Sequence, residues 1–167
     1  FHRDGLEAPK ELQAAAEIAL EYRCMMTLRA LEQDIDEPQL SWNHLVELEA
    51  IANEAKHLHC NLNLPEGKQL LERLSLRLLW QLLYDASGSF EFQIQRLERL
   101  IEVEEHLSLG ISLERSQELY FNCLHAEILP KTVAEILNHS DKNQLRQLLK
   151  LGRKLKVDVS YWMNQLG

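Results

Sequence analysis

The residues with the means to do chemistry are few and can be taken in turn. Glu54-x-x-His57 has the i, i+3 spacing with which a helix presents a carboxylate and an imidazole to a di-iron pair. Such a site needs a second copy of the pair on another helix. None of His44, His59, His106, His125 or His139 has Glu three residues before it. With 20 Glu and 7 His in 167 residues, about one such pair arises by chance, so the di-iron reading is set aside. His57-Leu58-His59-Cys60 alternates metal-ligating atoms, yet residues two apart on a helix diverge by about 200° and grip one ion only if the helix frays before Asn61. Histidines favoured by a helix C-terminus are the reading carried forward, and no metal or cofactor is expected.

Other chemistries find no starting point. There is no G-x-S-x-G elbow and no phosphate-cradling glycine loop before a helix. Glu102, Glu104 and Glu105, like Glu17 and Glu21, sit among charges on what read as wet helix faces, whereas acid–base work needs one carboxyl buried. No catalytic residue is assigned. The group to watch is Gln117, Tyr120 and Phe121, which share one helical face at spacings of three and four. An amide beside two rings is either a core hydrogen bond or a contact for a ligand or partner. It belongs to an aromatic set that includes Trp42, Trp80, Trp162, Tyr22, Tyr84, Tyr161, Phe90 and Phe92. Core packing is the commoner fate of such rings, and an exposed platform suits a sugar. Lys142, Arg146, Lys150, Arg153, Lys154 and Lys156 form a basic stripe, read as a solvated face or a dock for an acidic partner.

The elements that must position these residues are helices. Leu supplies 34 residues, against 6 Gly and 4 Pro, too few breakers for the turns of a β-sandwich. Pro9 opens a helix from Lys10 to about Gln33, with apolar positions at Leu12, Ala16, Ala19, Leu20, Met26 and Leu31. Ser41 is expected to cap a second, with the stripe Leu45, Leu48, Ile51, Ala52, Ala55 and Leu58. Pro65 opens a third through Leu71, Leu74, Leu78, Leu82 and Leu83. Ser87-Gly88-Ser89 is the clearest break. A fourth helix, about Phe90 to His106, turns Ile94, Leu97, Leu100 and Ile101 inward, and Gly110 supplies the left-handed conformation after it. Ser112 caps a fifth, with a kink or break expected near Pro130. Asp141 and Gln144 fit a capping box for a sixth, and Ser160 to Leu166 a last helical turn. The expected fold is an all-α, antiparallel bundle of about six helices, taken as a single domain over residues 1–167.

The net charge of -8 argues against general nucleic-acid binding. No apolar run approaches the roughly 20 residues a membrane span needs, so no membrane partner is expected. Cys24, Cys60 and Cys123 are widely spaced and lie in apolar helical stretches. They read as buried free thiols, which fits a reducing, cytoplasmic setting. The chain begins with Phe1 rather than Met, so it is expected to come from a longer polypeptide.

The C-terminal half carries a resemblance. The stretch "RLERLIEVEEHLSLGISLERSQELYFNCL", followed by "LRQLLKLGRKLKVDV", resembles the helical region, DUF3536, at the C-terminal end of bacterial proteins with a glycoside hydrolase family 57 domain. The likeness rests on Gly110, Ser112, Gln117, Tyr120 and Phe121, and on Leu151, Gly152, Leu155 and Val157. It implies an accessory domain of an enzyme acting on α-glucan-type polysaccharides, inert alone. Its partner would be an upstream catalytic barrel of the same polypeptide, and glucan would meet Gln117, Tyr120 and Phe121. The alternative is a freestanding protein–protein interaction bundle.

Overall fold

A computed structural model describes residues 10–85, 89–128 and 139–166. Among the described residues the chain is all-α, with helices α1 (Lys10–Gln33), α2 (Pro38–His57), α3 (Pro65–Tyr84), α4 (Phe90–Leu107) and α5 (Glu114–Cys123). A π-helical turn, Leu124–Ile128, continues α5, and α6 (His139–Lys154) and α7 (Ser160–Leu166) complete the described chain. The kink expected near Pro130 lies outside the described residues. So does most of the break at Ser87-Gly88-Ser89, although the Ser89 hydroxyl accepts from the Phe92 amide at the start of α4.

The chain divides into two compact units. One comprises Phe1–Leu71 with Glu102–Ile111, the other Glu72–Ile101 with Ser112–Gly167. In the first, the short Asp34–Glu37 connection folds α2 back along α1. Asp34 meets His44 near the turn at 2.8 Å, and Arg23 further along bridges Glu47 and Glu54 at 2.9 and 2.8 Å. The connector after α2 is tied to α1 as well. Gln13 donates to the His59 carbonyl, while Glu17 and Glu21 accept from the Asn61 and Asn63 amides.

Two local expectations are corrected here. Ser41 does not cap α2, because Pro38 at the first turn already starts the helix after the extended Glu37. Ser41 is buried one turn in, and its hydroxyl donates to the Pro38 carbonyl. The stripe read along α1 also mixed two faces. Leu20, Cys24, Leu28 and Leu31 are buried, whereas Leu12 and Met26 stand in solvent. Successive residues rotate about 100°, which puts Ala19 and Met26 about 100–140° round the helix from Leu20 and Leu31. In α2, by contrast, Leu45, Leu48, Ile51, Ala52 and Ala55 are all buried as read.

In the second unit α5 and α6 approach closely. The Tyr120 ring is wholly buried, and its hydroxyl donates to the Leu148 carbonyl of α6 at 2.8 Å. Gly152 makes room for it, since a Cβ there would lie 2.4 Å from the Tyr120 oxygen. Leu97, Leu100, Leu149, Leu151 and Leu155 are buried in the same unit.

Three helices end on residues other than glycine in the left-handed region: His59 after α2, Ser108 after α4 and Lys156 after α6. Gly110 is left-handed too, but Ser108 is the residue at which α4 stops. After α2 the His59 and Cys60 amides reach back to the Lys56 and Ala55 carbonyls. After α6 those of Lys156 and Val157 reach the Arg153 and Gly152 carbonyls. This paired bonding caps the orphan carbonyls at the cost of a strained φ. The α6 start also differs from expectation, since the helix begins at His139, two residues before Asp141.

Denaturant unfolding checks both backbone features. Gly152→Ala should lose about 1–3 kcal/mol, because the new methyl drives into the Tyr120 ring. Lys156→Gly should gain about 1 kcal/mol by relieving the positive φ.

Candidate functional site

The three residues singled out from sequence lie in the second unit and have different fates. Gln117 is half-buried, and its Nε2 donates to the Leu155 carbonyl at 2.8 Å, just past the end of α6. Tyr120 is enclosed, and burial raises its hydroxyl pKa. Both are occupied in fastening α5 to α6. Phe121 alone is open, at 48% exposure, with its ring 4.1 Å from that of His125. His125 in turn meets Trp162 of α7 edge-on at 5.3 Å.

A better-equipped surface lies on α3. Trp80, 52% exposed, is followed one turn later by the exposed Tyr84, their rings 5.9 Å apart and tilted by 37°. The Trp80 ring lines a groove of about 540 Å³ with Arg73, Arg77, Gln81, Asp85 and Leu119. The leucines of this helix explain why these residues face outward. Leu71, Leu74, Leu78, Leu79 and Leu82 take the buried side, so Arg73, Arg77, Trp80 and Tyr84, at steps of four, three and four to one another, must share the wet one. The exposed lining of this groove is almost wholly apolar, with the indole as its platform; Arg73, Arg77 and Asp85 border it and have partners of their own. Sequence reading placed Trp80 and Tyr84 in the aromatic set without separating them. The signal that isolates them is their i, i+4 spacing off the leucine stripe.

The first unit holds a polar cleft of about 580 Å³ where α2 and α4 end, lined by Lys56, His59, Asn61, His106 and Ser108 among others. His106 Nδ1 lies 2.5 Å from Glu49 Oε1, and the other Glu49 oxygen is buried with no hydrogen-bond partner among the described residues. A carboxylate-anchored imidazole orients its far nitrogen, but the thiol that also lines the cleft is no nucleophile. Burial, and next the Glu17 charge, raise the pKa of Cys60, whose sulfur lies 3.8 Å from the Leu58 carbonyl. His57 is exposed at the last residue of α2 and His59 sits in the left-handed turn beyond it. Among the described residues, no three His, Cys, Asp or Glu side chains gather so as to hold a metal ion.

Cys24, Cys60 and Cys123 are buried thiols not joined in disulfides. The basic stripe is exposed at Arg146, Lys150, Arg153 and Lys156, while Lys154 pairs with Glu98 at 3.4 Å. Among the described residues no helix is long and apolar enough to cross a membrane. No family model, no curated protein and no solved structure matches this chain.

Burial, and to a lesser degree Glu21, push the Cys24 thiol from 9.0 up to about 12. The folded protein therefore keeps this proton after the unfolded chain has lost it. The stability this confers is complete below pH 9 and is lost as pH rises toward 12, at about 1.4 kcal/mol per pH unit from this group. Alkylation mass spectrometry at pH 8 should leave Cys24 unlabelled until denaturant is added.

Proposed function

We propose that this chain is an accessory helical domain of a cytoplasmic carbohydrate-active enzyme of glycoside hydrolase family 57 type. It has no catalytic residue of its own and packs on, or lines, an upstream barrel. The observation that carries the reading is the Trp80 groove. A sugar ring sets its C–H face on an indole while its hydroxyls bond to polar groups at the edge, and α3 sets Gln81 directly after Trp80 in the groove. The resemblance through Gly110, Gln117, Tyr120 and Gly152 supports the same reading from a different part of the chain. Gln117 and Tyr120 then act as fasteners that hold α5 beside α6, and Phe121 is the one of the three that can reach a glucan or the barrel.

The exposed basic row from Arg146 to Lys156 favours a second reading, a freestanding bundle that docks on an acidic protein surface. Upstream sequence separates the two. A barrel-encoding stretch before Phe1 supports the first, and a start codon immediately before Phe1 removes it.

Titration calorimetry with maltooligosaccharides tests the glucan contact. Binding should be weak, in the range of about 0.1–1 mM, and Trp80→Ala should weaken it by about tenfold. Absence of heat in both this chain and the longer protein would overturn the sugar-binding part of the proposal.

A further inference from the structure

Helix α1 is apolar on two opposite sides. One side, from Leu20 to Leu31, is its packed face. The other carries Ala14, Ala15, Ile18, Tyr22 and Met26 in solvent, with Ile18 68% and Tyr22 67% exposed. A helix that served only its own unit would turn charges outward there, as α6 does. Glu11, Ala15, Ile18, Tyr22, Met25 and Arg29 recur at steps of four, three, four, three and four, which is a heptad seam. It begins with an acid and ends with a base.

We propose that this seam pairs with the same seam of a second copy of the chain, antiparallel about a two-fold axis level with Leu20. In that register Ile18 faces Tyr22 of the second copy and Ala15 faces its Met25. Glu11 faces Arg29. Each contact occurs twice, as a two-fold interface requires. Small residues meet large ones in every outer apolar layer, and both ends are closed by opposite charges. A parallel pairing would instead set Glu11 against Glu11 and Arg29 against Arg29.

The flanks leave the seam accessible. Arg23 lies to one side and is held by Glu47 and Glu54. Arg29 touches Glu66 at 3.1 Å, but the two side chains are 60% and 76% exposed, so the guanidinium can serve a second carboxylate. Met25 is half-buried, its sulfur close to Gly67, which fixes the edge of the seam. The paired stretch is about 27 Å long at 1.5 Å per residue. The pairing uses α1 alone and is independent of the glucan reading.

Sedimentation equilibrium of the whole chain across micromolar to submillimolar concentrations tests this, with circular dichroism to confirm that each variant is helical. The expected result is a reversible species of twice the 19.5 kDa chain mass. E11R or R29E alone should weaken association by about tenfold, and the double variant E11R/R29E should restore it. Ile18→Ser should also shift the equilibrium to monomer. A single mass of 19.5 kDa at all concentrations overturns the proposal. So do single variants that associate like the parent, or a double variant that stays as weak as the singles.

Discussion

Leucine burial carries this structure because the ends of the helices contribute so little. Helix α2 has no side-chain cap, the Ser112 hydroxyl takes up only the Glu114 amide at the start of α5, and three helices stop on strained residues that cost about 1 kcal/mol each. Against that, each fully buried Leu contributes about 1.5–3 kcal/mol, and the first unit alone buries Leu20, Leu28, Leu31, Leu45 and Leu48 almost completely. Apolar burial therefore outweighs the weak ends, and the helices run until the stripe runs out. This is why the boundaries of α1 and α3 could be read from leucine spacing and prolines, while the capping residue expected for α2 was wrong.

The same dominance decides what happens to polar groups in the second unit. Gln117 and Tyr120 lie on the buried side of α5, so each must spend its hydrogen bond on a backbone carbonyl near the end of α6. A sequence pattern of amide and ring at i, i+3 is equally compatible with a wet contact point and with this fastening. The choice depends on where α6 passes, and above all on Gly152, whose missing Cβ admits the Tyr120 ring. The Trp80 surface is the mirror case. In sequence an exposed Trp and a core Trp look alike until the leucine face of the helix is located.

Helix α1 shows a third consequence. Its low contrast between faces comes from a second apolar side, and a single stripe drawn through Leu12, Ala19, Leu20, Met26 and Leu31 necessarily crossed the helix. Once burial assigns Leu20 and Leu31 to the interior, the remaining apolar residues fall into a seam of their own. The accessory reading and the paired-helix reading thus draw on different units and different faces, and a molecule of this kind can use both.

Composition and spacing were enough to establish an all-α chain, the extents of α1, α3 and α4, the buried thiols and most of the leucine core. Those features depend on local periodicity, which every residue reports for itself. The polar partners of Gln117 and Tyr120, the outward placement of Trp80, the pairing of His106 with Glu49 and the two-sided character of α1 were settled only by tertiary structure. Each depends on which side of a helix another element covers, and that is a relation between distant stretches of chain that no local spacing contains.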